Sequence, residues 1–341
     1  MNMKKVTIKD VAREAGVSVT LVSFVMNAKM GKDGRLDCPV NPNTAANVLK
    51  VAKKLGYRKN AAAASLRSGR SNTIAVITTD ISNKFFAGVS RYIEDKAYSY
   101  DYTVLFGSSD EDASKLESMI DTVLSYNVDG IIVAPVPGGG QCIERAVESK
   151  VPVVLLDRDI EGLRGIGKVL LDDISAGRTA TELLLDNGYR KIEMISYTLG
   201  ISSLSEREEG YKQSMHEHNL SANIHYTTYG AVDKDVRNII EDALQRGVDA
   251  FFLPTYSLCA KTLQIIKEKG LSVPKDLALV GFDESDVYSL YSNTVAHIVQ
   301  PLRELGEKSV ELLHNMIEGI PSDRTIILKP TLIKGESAER K

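Results

Sequence analysis

Apolar residues over the first 57 positions recur at helical spacing, and the pattern predicts three short helices. Thr7-Ile8-Lys9-Asp10 reads as a capping-box start with an acid at its third position, followed by Val11, Ala12 and Ala15, and Gly16 supplies the stop. Ser18 caps a second helix whose inner face is Val22, Val25 and Met26. Asn41-Pro42 opens a third, with a stripe of Val48, Leu49, Ala52 and Leu55 that ends before Gly56-Tyr57. Two short helices joined by Ala15-Gly16-Val17-Ser18 form a helix-turn-helix. Residues 60–68 read as one more helix, too short to be stable alone in water.

From Thr73 the pattern changes. Ile74-Ala75-Val76-Ile77 is a continuous apolar run, as expected of a strand buried on both faces. Similar runs recur at 103–106, 130–134, 151–156, 192–195, 250–253 and 277–281. Amphipathic helical segments lie between them at 85–98, 113–126, 175–187, 206–218, 234–246 and 258–269. Such alternation predicts an α/β fold with parallel sheets. The 270 or so residues are too many for one such sheet, so two lobes with a cleft between them are expected. Pro137-Gly138-Gly139-Gly140 lacks the Gly-Lys-Ser/Thr ending of a phosphate loop and reads as a surface loop.

Charge sharpens this division. Residues 1–70 hold 14 Lys/Arg and 4 Asp/Glu, a net of +10, whereas the remaining residues are net acidic at -13. A basic head on an acidic body suits a polyanion binder whose body avoids the polyanion. The N-terminal run has no apolar signal-peptide core and no later stretch is as long as a membrane span. Cys38, Cys142 and Cys259 are widely spaced and odd in number, which suits a reduced, cytoplasmic chain, with the latter two as small buried apolar groups. Catalysis finds no support: there is neither a Gly-x-Ser-x-Gly elbow nor a His-Glu-x-x-His pair. His216 and His218 point to different faces of a helix and make poor joint ligands. No catalytic residue, metal site or cofactor is expected.

Several motifs carry a resemblance. Thr7 to Asn27, then Leu55-Gly56-Tyr57, Asn60-Ala61-Ala62-Ala63 and Ser65-Leu66-Arg67, resemble the lactose-repressor/galactose-repressor (LacI/GalR) family. So do Asp80-Ile81-Ser82-Asn83 with Phe85-Phe86, Val128-Asp129-Gly130, Leu156-Asp157-Arg158, Arg207 with Gly210-Tyr211, Val280-Gly281-Phe282-Asp283, and Gln300-Pro301 with Leu305-Gly306. The likeness runs in order through nearly the whole chain. It implies a helix-turn-helix head at 1–59, a hinge helix at 60–70 and a two-lobed, periplasmic-binding-protein-like core at 71–341. The lobes are expected at 71–171 with 298–327, and at 172–297 with 328–341, so that the chain crosses near 172, 297 and 328.

The same resemblance implies a sequence-specific transcription regulator, a repressor by expectation, acting as a homodimer on pseudo-palindromic operator DNA. The tail 334–341 has no apolar heptad, so no tetramer is expected. The second helix of the head would enter the major groove with Val19, Thr20, Ser23, Phe24 and Asn27 outward. Phe24 stands where the family usually has Arg; it either meets a thymine methyl or packs against a neighbour and reads nothing. Thr7, Ser18, Ser23, Asn41, Thr44, Tyr57 and Asn60 match phosphate-contacting positions, and Ala63 lies in the hinge. Leu66 matches the leucine that paired hinges wedge into the minor groove. The segment 28–39, with Lys29, Lys32 and Arg35, is longer than the family's usual loop. It either adds phosphate contacts or is a solvated insertion.

For the cleft, the resemblance places Asp80, Asn83, Phe85, Phe86, Asp157, Arg158, Arg207, Tyr256 and Asp283 at an effector site. Charged groups that hydrogen-bond hydroxyls, beside rings that cover an apolar face, suit a polyhydroxylated ligand such as a sugar. Tyr256 replaces the usual Asp or Asn, which leaves a larger or more aromatic effector open, as are purines and nucleosides. Two other classes fit the body: a solute-binding transport component, which explains neither the basic head nor the missing signal segment, and an α/β enzyme, which lacks its motif.

Overall fold

The computed structural model describes residues 6–28, 36–57 and 69–340. The chain divides at Ser71–Asn72 into two compact units. Among the described residues no helix is long and apolar enough to cross a membrane.

The head holds α1 (Ile8–Ala15), α2 (Val19–Asn27) and α3 (Pro42–Leu55). The Asp10 carboxylate accepts from both the N–H and the hydroxyl of Thr7, at 3.0 and 2.7 Å, which closes the first cap. Gly16 and Gly56 end α1 and α3 in the left-handed conformation that glycine adopts without strain. Val11, Val22, Val25 and Val48 form the small core with Ala12, Ala45, Val51 and Ala52. One expectation fails here: Leu49 is 40% exposed and Val51 takes the inner place. The stripe of α3 runs through 45, 48 and 52, so a residue one position beyond Val48 is carried about 100° around the helix to solvent. Asn60, Ala63 and Leu66 lie outside the described residues, as do 29–35 of the long loop.

The body contains two six-stranded sheets. The first has the order β11-β5-β4-β3-β1-β2: Thr325–Leu328, Gly167–Leu171, Val153–Leu156, Gly130–Val133, Thr73–Thr78 and Thr103–Ser108. The second has the order β12-β10-β9-β8-β6-β7: Thr331–Ile333, Ala296–Val299, Ala278–Phe282, Ala250–Phe252, Ile192–Tyr197 and Asn223–Thr227. All neighbours are parallel except the edge strand β12, which runs antiparallel to β10. Helices cover both faces of each sheet: α4 (Lys84–Ser99) and α12 (Leu302–Glu318) oppose α5 (Ala113–Ser125) and α6 (Gly140–Glu148) on the first. On the second, α7 (Asp173–Asp186) and α8 (Ser202–Glu217) oppose α9 (Val232–Arg246) and α10 (Tyr256–Glu268). This double cover explains the unbroken apolar runs; Ile131, Ile132 and Val133 are all fully buried. Cys142 and Cys259 are buried thiols within these cores.

Two of the expected lobe crossings move. Val299 still pairs with β12, and Leu328 pairs with Leu171 in the first sheet. The chain therefore crosses at Gln300-Pro301 and at Lys329-Pro330, after Val299 and Leu328, while the first crossing lies at Asp172. Proline has no N–H to give to a ladder, so each strand ends just before its proline.

The helices α7 and α8 approach through glycines. A methyl group on Gly210 would lie 2.1 Å from the carbonyl oxygen of Ile174, and one on Gly177 would lie 2.2 Å from that of Arg207. Gly210→Ala should therefore push the helices apart and cost at least about 2 kcal/mol in urea unfolding, as overpacking against rigid backbone does. An unchanged midpoint would mean that the helices have room to spare.

Candidate effector cleft and DNA-facing helix

Every segment lining the cleft leaves the C-terminal end of a strand, where open parallel sheets bind their ligands. An inner cavity of about 60 Å³ is lined by Asn83, Phe85, Phe86, Asp157 and Arg158 from the first lobe, and by Arg207, Tyr256 and Asp283 among others from the second. Those are eight of the nine effector positions expected from the sequence. Asp80 is the exception: it is exposed, its carboxylate accepts from the Ser82 N–H and hydroxyl, and it lines an outer cavity of about 310 Å³. Its short side chain is used up in that local turn. Asn83, Tyr229, Tyr256 and Ser257 belong to both cavities.

Arg207 organises the second lobe's side. Its Nε donates to Asp173 at 2.7 Å, its Nη1 donates to the Pro254 carbonyl at 2.7 Å, and the guanidinium lies 3.7 Å from the Phe282 ring centroid. Arg158 does the same on the first lobe: both terminal nitrogens donate to Glu111 at 2.8 Å, and Nη1 also reaches the Pro135 carbonyl. Phe85 and Phe86 meet edge to face at 4.9 Å, giving an apolar wall beside these charges. Gln300 donates to Asp283 at 2.8 Å, and its own Oε1 is buried without a hydrogen-bond partner. Across the cleft the Asp159 N–H donates to Ser202 Oγ at 2.7 Å, and Lys84 pairs with Asp286 at 2.9 Å.

Sequence reasoning missed Glu111, Asp173, Tyr197, Tyr229 and Gln300. One signal lies in the backbone: Glu111, Asp157 and Asp283 all have positive φ, at 57°, 70° and 61°. Non-glycine residues held there mark places where the surroundings over-determine the chain, and ligand sites are among them.

Within this cluster four carboxylates, Glu111, Asp157, Asp173 and Asp283, share two guanidiniums. Burial raises the pKa values of Asp157 and Asp283 against the pull of the arginines, and Asp173 is pushed up to about 8. Burial lowers that of Arg207, but the charges of Asp173, Asp283 and Asp157 more than offset it. The surplus of negative charge is relieved by a proton.

In the head, Val19, Thr20, Phe24 and Asn27 form an exposed row on α2, with Ser23 half-buried and accepting from Asn27 at 3.1 Å. Phe24 is 50% exposed, which removes the support for its packing in the isolated head. Thr7 and Asn41 are exposed at helix starts, Thr44 is half-buried, and Tyr57 packs partly on the head core. Ser18 and Asn41 each spend an oxygen on a cap, accepting from Leu21 and Asn43, so only the hydroxyl proton or the amide NH₂ remains to meet a phosphate.

Comparison with known proteins agrees with both halves. The family described as "Bacterial regulatory proteins, lacI family" matches residues 7–60, and that described as "Periplasmic binding protein domain" matches 74–321. Catabolite control protein A of Priestia megaterium is 32% identical over 335 residues, covering 96% of this chain and 98% of that protein. A ribose operon repressor of Haemophilus influenzae is 29% identical over 339 residues, covering 97% and 98%. Among solved structures, a lac repressor dimer bound to operator and the anti-inducer ONPF superposes with a TM-score of 0.84 at 22% identity, covering 99% of this chain and 100% of that one. The regulator CelR in complex with cellobiose gives 0.71 at 24%, covering 98% and 100%.

Asp173 has a stability consequence. The folded chain holds a proton that the unfolded carboxyl releases above about pH 4. This contribution is fully present below that pH and is lost as pH rises through about 8. Stability of the ligand-free protein should fall by about 2–3 kcal/mol between pH 6 and 8.5, and Asp173→Asn should flatten that slope. Parallel pH profiles for the two proteins would show that Asp173 is ionised throughout.

Proposed function

Because the chain belongs to the lacI family of bacterial regulatory proteins, we propose that it is a homodimeric repressor whose grip on operator DNA is set by a sugar in the cleft. The observation that carries the effector half is the convergence of Asp157, Asp283, Gln300, Arg158 and Arg207 beside the Phe85–Phe86 wall in one buried cavity. Carboxylate and amide oxygens take sugar hydroxyl protons, guanidinium N–H groups give to the hydroxyl oxygens, and the rings cover the C–H face. The cellobiose complex of one structural neighbour and the ribose operon named for one relative favour the same ligand class. The inner cavity is narrow, about 60 Å³. A sugar ring therefore enters when the lobes part, and it favours whichever lobe arrangement closes around it.

The DNA half rests on the exposed row of α2 and the basic head. Thr7, Ser18, Ser23, Asn41, Thr44 and Tyr57 fix the head against phosphates, while Val19, Thr20, Phe24 and Asn27 face base edges. Asn60, Ala63 and Leu66 complete the contact through the hinge. Two heads per dimer read the two halves of a pseudo-palindromic operator, a reading that the operator-bound lac repressor dimer favours. The reaction is binding alone, exerted on DNA in the cytoplasm with no cofactor or catalytic residue.

Selection of binding sites from random duplex DNA tests this directly. The full chain should yield a two-fold symmetric motif, with a log-log salt slope of about -0.9 per phosphate neutralised. Recovery of no motif would remove the DNA-reading role. Phe24→Ala should alter base preference at one pair per half-site by about 1–3 kcal/mol, since an uncharged ring can only read, not anchor. Identical motifs from the two proteins would show that Phe24 reads nothing.

A further inference from the structure

We propose that Glu111 is the residue that sets the effector's charge class: it admits uncharged sugars to the cleft and keeps out their carboxylate- and phosphate-bearing counterparts. The inference rests on the reading of the cleft as a sugar site and deepens it.

An anionic ligand needs a cation with hydrogen-bond donors to spare. Arg158 would be the natural one, being 94% buried in its side chain and lining the cavity. Its fork is already taken. Glu111 accepts from both terminal nitrogens at 2.8 Å, in the bidentate geometry that a substrate carboxylate or phosphate would otherwise claim. Arg207 is turned toward the second lobe, its Nε donating to Asp173 and its Nη1 to the Pro254 carbonyl, so it offers no free fork of the kind Arg158 would. Acceptors stand open beside that fork. Gln300 Oε1 is buried without a partner, and the Asp157 carboxylate faces the Nε of Arg158 at 3.4 Å, a nitrogen that is itself buried without a hydrogen bond. Such a site asks for donors, and hydroxyl groups supply them. A carboxylate or phosphate brings only acceptors and a charge of the wrong sign, placed against carboxylates already in excess of guanidiniums.

Glu111 lies just after β2, four elements before Arg158 in sequence, and is held in a left-handed backbone next to Asp110, which is anchored to Lys115. The loop thus presents the carboxylate to Arg158 in the ligand-free cleft. Removing that charge frees the guanidinium fork for an incoming anion.

The test pairs D-glucose with D-glucuronate, D-galactose with D-galacturonate, and D-ribose with ribose 5-phosphate, each measured by calorimetry and thermal shift on the full chain. In the wild type, the anionic partner of any sugar that binds should bind about 100-fold more weakly, since burying a like charge costs several kcal/mol. In Glu111→Gln the ratio of the two affinities should fall at least about 10-fold toward unity, and Glu111→Asp should restore it if the substitution itself has not disturbed folding. An anionic partner that binds wild type as well as the neutral sugar overturns the inference while the sugar reading stands. A ratio unmoved by Glu111→Gln, in a protein that still melts cooperatively, also overturns it. If no compound of either kind binds, the sugar reading falls and takes this inference with it.

Discussion

Arg207 is the interaction on which the body depends. One guanidinium ties the first turn of α7 at Asp173 to the end of β8 at Pro254, and it covers Phe282 at the end of β9. Asp173 directly follows the first lobe crossing, so the salt bridge fixes where the chain enters the second lobe. The pair is almost wholly buried, with side chains 5% and 2% exposed. Removing the guanidinium would leave the buried carboxylates of Asp157 and Asp283 without their shared cation, a loss that typically costs about 3–5 kcal/mol. Its geometry depends in turn on the glycine contact between α7 and α8, since Arg207 itself supplies the carbonyl that Gly177 approaches. Backbone packing thereby holds a charge in place, and that charge holds the cleft.

The negative surplus around this arginine also explains why the cleft suits a ligand. Four carboxyl groups crowd two guanidiniums there, and acceptors are left short of hydrogen bonds. Hydroxyl groups entering the cavity relieve that shortage by giving hydrogen bonds to acceptors that lack them, Gln300 Oε1 among them. The head follows a different economy. Its core is eight small aliphatic residues, and caps at Thr7, Ser18 and Asn41 do much of the work of defining three short helices.

Legibility in the sequence followed the apolar run more than burial, since β2 was read although Leu105 and Phe106 are exposed. The caps of the head and the doubly covered strands could be read because each leaves a local pattern, such as the apolar run of β3. Strands β5, β7, β10, β11 and β12 were not read, since each has partly exposed positions that break the run, as the alternating burial of β5 shows. Leu49 was misplaced because an apolar residue next to Val48 fits a stripe on composition but not on rotation. In the cleft, Asp157, Arg158, Arg207 and Asp283 were legible through short motifs. Glu111 and Tyr229 were not, because they sit in loops without a motif, and only the fold brings Glu111 to Arg158, 47 positions away. Pro301 and Pro330 did mark the lobe crossings, a signal that hydropathy alone overlooks.

The central claim is that cleft and head form one thermodynamic system. It is tested by measuring the full chain's affinity for its selected operator duplex at fixed salt, with and without a saturating amount of the sugar that raises its melting point most. A coupling of about 1–3 kcal/mol predicts that operator affinity changes by about 5- to 150-fold, and that operator DNA changes the affinity for the sugar by the same factor. A sugar that demonstrably occupies the cleft while leaving operator affinity unchanged would contradict it.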